Sequence, residues 1–120
     1  MSELIRDYLE LVWNQVRTDL ADRFLAEDLI QHNPNLPDGR KALADFVDGF
    51  RGQFPDAHFE IRRLAAQDDL VFVHSLFTTH PGHRGVAVVD VFRIADGLIA
   101  EHWDLREDVP ETTVSGNEIV

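Results

Sequence analysis

The segment VVDVFRIADGLIAEHWDLRED, residues 88–108, decides the fold of this chain. Runs of valine, isoleucine and phenylalanine on either side of a short polar stretch predict two strands, which cover residues 84–94 and 98–108. The polar stretch is Ala95-Asp96-Gly97, a combination typical of a tight turn. The segment therefore predicts an antiparallel hairpin.

Polar groups interrupt both strands of this hairpin. Because side chains alternate across a strand, Asp90 shares a face with Phe92, and His102 shares a face with Asp104. If these two faces coincide, two carboxyl groups and an imidazole meet on an apolar sheet. Burying even one uncharged polar group without a partner costs about 2–7 kcal/mol, so such a cluster indicates a functional site.

Upstream of the hairpin, the hydrophobic pattern predicts three helices. The first runs from an N-cap at Ser2 to about Val16, and a shorter second helix begins at Thr18 or Asp19. The third carries an apolar face from Leu43 to Phe50 and ends at Phe54-Pro55-Asp56. Between the second and third helices, residues 29–32 are predicted to be extended, and residues 33–39, with two prolines, form a loop.

The second half of the chain has the period of two that is typical of strands. The predicted strands cover residues 57–66, 70–79, 84–94 and 98–108 and form an antiparallel meander, whereas residues 109–120 are irregular. Helices followed by a curved antiparallel sheet make one α+β domain over residues 1–120, in which the helices close one end of the sheet and leave a conical cavity.

The strand Leu70–His74 is apolar on both faces, which predicts cover on both sides. Helices supply one cover, and a second copy of the chain is expected to supply the other. Either the face that carries Val71, Val73 and Phe77 or the opposite face would then form a homodimer interface through the sheet.

Composition limits the classes of function. The net charge of −11 and the absence of a basic stripe argue against nucleic-acid binding. No apolar run has the length of a membrane span and no signal sequence is evident, so we expect a soluble, cytoplasmic protein with no membrane partner. The absence of cysteine excludes disulfides, thiol nucleophiles and cysteine-bound metals.

The order of elements and three motifs resemble the nuclear transport factor 2-like (NTF2-like) superfamily, and within it the SnoaL-like polyketide cyclase group. The motifs are Leu29-Ile30-Gln31-His32-Asn33-Pro34, Asp90-Val91-Phe92-Arg93 and the stretch from Gly97 to Asp104 that contains Glu-His-Trp-Asp. The likeness covers nearly the whole chain. It implies a cone-shaped fold in which three helices pack on the sheet and enclose a pocket.

Asp104 is the first candidate for general acid/base catalysis. A carboxyl group in an apolar pocket beside another carboxyl group has its ionised form disfavoured and can exchange protons near neutral pH. The resemblance implies the same role, because SnoaL-like cyclases use a pocket aspartate for an intramolecular aldol closure without a metal or other cofactor. The alternative is an ion pair of Asp104 with Arg106 or His102.

His102 and Asp90 are the other two candidate catalytic residues. His102 could donate a hydrogen bond to the enolate oxygen or hold Asp104 in one protonation state. Asp90 occupies the position at which the related steroid isomerases carry a protonated aspartate in the oxyanion hole. Its alternative is a salt bridge to Arg84 or Arg63.

Tyr8, His32 and Asn33 are candidate substrate-binding residues. The resemblance places Tyr8 where the isomerases carry an oxyanion tyrosine, although a core tyrosine is the alternative. Asn33 stands where the isomerases have their base aspartate. An amide cannot accept that proton, so either His32 takes the role or Asn33 donates to a substrate carbonyl. Both residues could instead cap the turn at Pro34.

A metal site is the least favoured interpretation of the histidines. His102 and Asp104 lie two residues apart, and His32 or His74 could act as a third ligand to iron. We expect no metal.

The aromatic residues predict an apolar pocket, with these candidates for its lining or packing shell: Phe46, Phe50, Phe72, Phe92 and Trp103. The sequence thus favours a cofactor-independent enzyme that abstracts a proton alpha to the carbonyl of a small apolar molecule and promotes cyclisation or isomerisation. The alternative is a non-catalytic module for ligand binding or dimerisation.

Overall fold

The computed structural model describes residues 1–120. The helical elements are α1 (Ser2–Asp7), a π-helix (Tyr8–Asn14), a 3-10 turn (Thr18–Leu20), α2 (Ala21–Phe24) and α3 (Arg40–Gln53). The strands are β1 (Leu25–Gln31), β2 (His58–Gln67), β3 (Leu70–Thr78), β4 (Val86–Ala95) and β5 (Leu98–Asp108).

The strands form one five-stranded sheet in the order β1-β5-β4-β3-β2. Strands β2 to β5 make the predicted antiparallel meander, and β1 pairs parallel to β5 at the sheet edge. The α+β class is confirmed, and residues 29–31 of the predicted extended segment belong to β1. None of the helices combines the length and apolar composition that crossing a bilayer requires.

The first helix differs from its prediction. The apolar spacing favoured a helix to about Val16, but α1 ends at Asp7 and the chain continues as a π-helix to Asn14. The amide of Gln15 donates to the carbonyl of Glu10 at 2.9 Å, a spacing of five residues. π-Helical segments are rare in proteins, and those that occur often lie at functional sites.

The β4–β5 hairpin combines the predicted turn with a bulge. Asp96 and Gly97 both have positive φ, at 53° and 77°, as the type I′ turn of a two-residue hairpin requires. Ile94 pairs with Ile99, whereas Arg93 pairs with Glu101, so one extra residue, Ala100, lies in β5 without a partner.

The core lies between the helices and one face of the sheet, called here the inner face. Val71 and Val73 of β3 belong to this core, at 0% and 1% exposure. The other core side chains come from α1, the π-helix, α2, α3, β1, β4 and β5: Ile5, Tyr8, Leu9, Val12, Ala21, Phe24, Leu25, Leu29, Leu43, Val47, Phe92 and Ile99. Of the two sheet faces considered for dimerisation, the one carrying Val71 and Val73 is thus covered by the helices.

Candidate active site

A cavity of about 310 Å³ opens between the π-helix, α3 and the inner face of the sheet. Most of its wall is apolar and aromatic, and the charged and amide side chains come from β4, β5 and the loop that follows β1. The lining includes Tyr8, Trp13, Asn33, Phe46, Phe50, Phe59, Phe77, Asp90, Phe92, His102, Asp104 and Arg106. An apolar hollow with a few convergent polar groups is the usual form of a small-molecule site.

The strand register brings the two predicted faces together. Asp90 lies directly opposite Asp104, and Phe92 lies directly opposite His102. Directly opposite residues of an antiparallel pair point to the same side of the sheet. Both carboxyl groups and the imidazole therefore face the cavity.

Asp90 and His102 form the buried half of this polar cluster. His102 Nε2 lies 2.7 Å from Asp90 Oδ1, and the side chains are only 12% and 6% exposed. The other carboxyl oxygen of Asp90 is buried without a hydrogen-bond partner. Burial raises the pKa of Asp90, while the contact with His102 opposes that shift. Asp90 pairs with His102 rather than with Arg84 or Arg63, so those salt-bridge alternatives were wrong.

Asp104 forms the more accessible half of the cluster. Asn33 Nδ2 donates to both of its carboxyl oxygens, at 3.1 Å and 2.9 Å. The carbonyl oxygen of the Asn33 side chain accepts from the amide of Asn35 at 2.8 Å. Asn33 thus caps the loop, as one alternative predicted, and holds Asp104 at the same time. The contact of Asp104 is this amide, not an ion pair with Arg106 or His102.

Tyr8 and Trp13 come from the π-helix. Trp13 Nε1 donates to the hydroxyl oxygen of Tyr8 at 2.9 Å, and the ring of Tyr8 packs edge-on against Phe92. Because Trp13 supplies a hydrogen to that oxygen, the hydroxyl hydrogen of Tyr8 remains available for another acceptor. Burial raises the pKa of Tyr8, so the hydroxyl stays protonated.

Residues 5–102 match the family of SnoaL-like domains. The chain belongs to the SnoaL-like family. No curated protein matched the sequence.

Solved structures share the fold of this SnoaL-like domain. A provisionally named polyketide cyclase from Acidithiobacillus ferrooxidans is 21% identical, with 88% of this chain and 86% of that chain covered and a TM-score of 0.74. TsrD from Streptomyces laurentii is 22% identical, with the same coverage and TM-score. A provisionally named ketosteroid isomerase from Kribbella flavida is 22% identical, with 93% of this chain and 81% of that chain covered and a TM-score of 0.75. These similarities show the NTF2-like fold.

Three predicted substrate-binding residues lie elsewhere. Phe72 and Trp103 point to the outer face of the sheet, where they line a shallow apolar depression together with His32. His32 stacks on Trp103 with ring centroids 4.8 Å apart, and its Nε2 lies 2.6 Å from Glu101. The prediction that these residues contact a substrate in the cavity was therefore wrong, and His32 cannot replace the base there.

The metal site considered from the sequence concerns this same cluster of the SnoaL-like domain. One ligand atom from each of Asp90, His102 and Asp104 lies within 4.8 Å of the others, which is close enough for one ion. However, Asp90 and Gln31 already engage both ring nitrogens of His102, and a metal would have to displace one of them. The third ligands considered, His32 and His74, contact Glu101 and Arg63 instead.

Sequence reasoning missed several residues of this site, four of which carry polar side-chain atoms. Trp13, Asn35 and Arg106 line the cavity, and Gln31 contacts His102 from β1. For Arg106 the signal was present, because it alternates with His102 and Asp104 along β5. Gln31 could not be found in this way, since its contact depends on the parallel pairing of β1 with β5.

Proposed function

We propose that this protein is a cofactor-independent enzyme that abstracts a proton alpha to a carbonyl group. The substrate would be a small, largely apolar carbonyl compound, and the product would result from aldol-type cyclisation or isomerisation. The observation that carries the proposal is the register that places Asp104 opposite Asp90 inside an apolar cavity. The names of the structural neighbours, a cyclase and an isomerase, agree with this class of reaction.

In the proposed reaction, Asp104 is the base. Its carboxylate takes the proton from the alpha carbon, and the electron pair of that bond moves to the carbonyl oxygen as an enolate. Asn33 holds the carboxylate in place through both oxygens. Because a positioned carboxylate pays no reorganisation cost at the moment of transfer, this contact favours the proton step.

Tyr8 is the proposed donor to the enolate oxygen. Its ring packs against Phe92, and burial raises its pKa, which favours the protonated form needed for donation. In a cyclisation, the enolate carbon then bonds to a second carbonyl carbon of the same molecule, whose oxygen takes the proton back from Asp104. In an isomerisation, Asp104 returns the proton to a different carbon.

The test is hydrogen–deuterium exchange at an alpha carbon, because it detects the first step without knowledge of the product. 2-Tetralone, an enolisable bicyclic ketone, is incubated with the protein in D2O and followed by NMR. We expect the wild type to accelerate exchange and Asp104→Asn to remove about 10²-fold to 10⁴-fold of that acceleration. Asp108→Asn is the matched control, because Asp108 lies at the exposed end of the same strand.

Equal exchange rates for the wild type and Asp104→Asn would eliminate Asp104 as the base. Saturable binding of 2-tetralone without any acceleration of exchange would favour the alternative of a non-catalytic binding module.

We also propose that a second copy of the chain covers the outer face of the sheet. Phe72, Val89 and Leu105 are 40%, 37% and 78% exposed on that face, which is more apolar exposure than a strand surface normally leaves to water. A two-fold axis through the depression would pair this patch with itself. In sedimentation experiments we expect Leu105→Glu to dissociate a wild-type dimer and Val114→Glu, on the exposed tail, to leave it intact. A wild-type monomer at micromolar concentration contradicts the proposal.

A further inference from the structure

Two side-chain amides approach the polar cluster from the edge of the sheet. Gln31, the last residue of β1, places its Oε1 2.9 Å from Nδ1 of His102. Two residues later, Asn33 donates to Asp104. Amides do not titrate, so neither can exchange a proton with a substrate. Each instead contacts one of the two groups on β5 that can.

The backbone around Gln31 is held from two sides. Its N–H donates to the carboxylate of Asp38 at 2.8 Å, and the N–H of His32 donates to the carbonyl of His102 at 2.9 Å. Gln31 and His102 are also direct partners in the parallel register. The side-chain amide of Gln31 is therefore presented to the imidazole by a fixed piece of backbone, which is the usual way in which a supporting residue orients a functional one.

The contact has a consequence for the proton on His102. A carbonyl oxygen can only accept a hydrogen bond, so Nδ1 must carry the hydrogen that Gln31 Oε1 accepts. In a neutral imidazole the other nitrogen, Nε2, then holds a lone pair and can only accept. Nε2 faces Asp90 Oδ1 at 2.7 Å, and a carboxyl group can donate at that distance only when it is protonated.

We propose that Gln31 is a positioning residue that fixes His102 as the Nδ1–H tautomer and thereby keeps Asp90 as a carboxylic acid. The hydrogen of Asp90 is then committed to Nε2 of His102, which leaves Asp104 as the base and Tyr8 as the donor of the proposed reaction. The catalytic part of this inference rests on the proposed function, whereas the positions of the protons do not.

The other charged groups around Asp90 act in both directions. The charge of Asp104 raises the pKa of Asp90, whereas the charge of Arg106, which lies on β5 together with Asp104, lowers it. Tyr8 faces Asp90 from the π-helix. Burial, which raises the pKa of Asp90, is the largest influence on it and outweighs the opposing effect of the contact with His102.

The experiment is nitrogen-15 NMR of the full-length protein with labelled histidine, in which His102→Gln assigns the signal of His102. We expect a pyrrole-type Nδ1 and a pyridine-type Nε2 at pH 7, together with the infrared carbonyl band of a protonated carboxylic acid that Asp90→Asn removes. A protonated Nε2 in the wild type, alone or as part of an imidazolium, overturns the inference. This result needs no variant at position 31.

Variants of Gln31 test whether its side chain fixes the tautomer of His102. Gln31→Met keeps the length of the side chain but removes the acceptor, so we expect the Nε2–H tautomer to become populated and the carboxylic acid band to weaken. Gln31→Glu keeps an acceptor at Nδ1 and should keep the proton there. Gln67→Met, on an exposed strand end, is the control for the loss of a glutamine. An unchanged tautomer in a folded Gln31→Met protein contradicts the inference.

These outcomes separate the inference from the proposed function. The expected tautomer without any deuterium exchange into 2-tetralone would leave the inference standing and remove the proposed reaction. Deuterium exchange that depends on Asp104, in a protein whose His102 is not the Nδ1–H tautomer, would leave the proposed reaction standing and remove the inference. If both hold, Gln31→Met should lower the exchange rate at saturation by about 10-fold or more and leave KM unchanged, because Gln31 does not line the cavity.

Discussion

Replacement of Asp90 by asparagine should make the protein more stable than the wild type at neutral pH, and the advantage should grow as the pH rises. Burial raises the pKa of Asp90 above its value of about 3.9 in an unfolded chain. The folded protein therefore keeps the proton at pH values at which the unfolded chain has released it. Asparagine has nearly the shape of the protonated acid and cannot ionise.

The size of this effect follows from the linkage between proton binding and folding. Well below about pH 3.9 the side chain of Asp90 is protonated in both the folded and the unfolded state, so it does not change the free energy of unfolding with pH. Between pH 3.9 and the folded pKa, wild-type stability falls by up to about 1.4 kcal/mol per pH unit through this one group. A chain of 120 residues unfolds with an entropy of about 250 cal/mol/K, so the difference in Tm should widen by about 5 °C per pH unit.

The assay is thermal unfolding of both proteins from pH 3.5 to pH 8, with Asp56→Asn, at an exposed turn, as the control that corrects for the change in net charge. The opposite result would refute the reasoning. If Asp90→Asn is less stable than the wild type at pH 7 and the deficit disappears in acid, Asp90 is ionised and forms a charge pair with a His102 imidazolium.

Two further predictions concern packing. Phe92 is 2% exposed and contacts Tyr8 and His102, so Phe92→Ala should lower the free energy of unfolding by about 3–5 kcal/mol in urea titrations; a loss below about 1 kcal/mol would contradict its place in the core. Gly85 and Gly97 both have positive φ, but only at Gly85 would a Cβ approach within 2.6 Å of Leu76 Cδ1 and 3.0 Å of a backbone oxygen. Gly97→Ala should lower the free energy of unfolding by about 1 kcal/mol, and Gly85→Ala should lower it clearly more. Equal losses for the two variants would show that the strand relaxes around the new methyl group.

Local sequence signals predicted the strands well because each boundary is marked by its own residues. The turn at Asp96-Gly97 and the polar pair Asp68-Asp69 define β3, β4 and β5 almost to the residue. The π-helix was not predictable in this way. An apolar stripe with a period near 3.6 predicts an α-helix and carries no separate signal for the hydrogen bonds over five residues that define a π-helix.

The candidate site was predictable in part. Alternation along β4 and β5 grouped Asp90 with Phe92 and His102 with Asp104. The same rule, applied strictly, would have placed Trp103 on the opposite side from His102, where the structure has it. Asn33 and Gln31 illustrate the limit of local reasoning. Their partners are 71 residues away in the chain, and only the long-range pairing of β1 with β5 brings them together.

The bulge at the unpaired Ala100 decides which side chains of β5 face the cavity. An uninterrupted ladder continuing from the Ile94–Ile99 pair would set Asp90 against Trp103, and the imidazole and the second carboxylate would project into water. A β5 strand of the same length without the bulge would therefore turn inside out, with a tryptophan filling the hollow, whereas deletion of Ala100 itself would remove the bulge and leave Asp90 opposite Asp104. Relatives that form this strand at the same length without the bulge need not share any chemistry, however closely their backbones superpose.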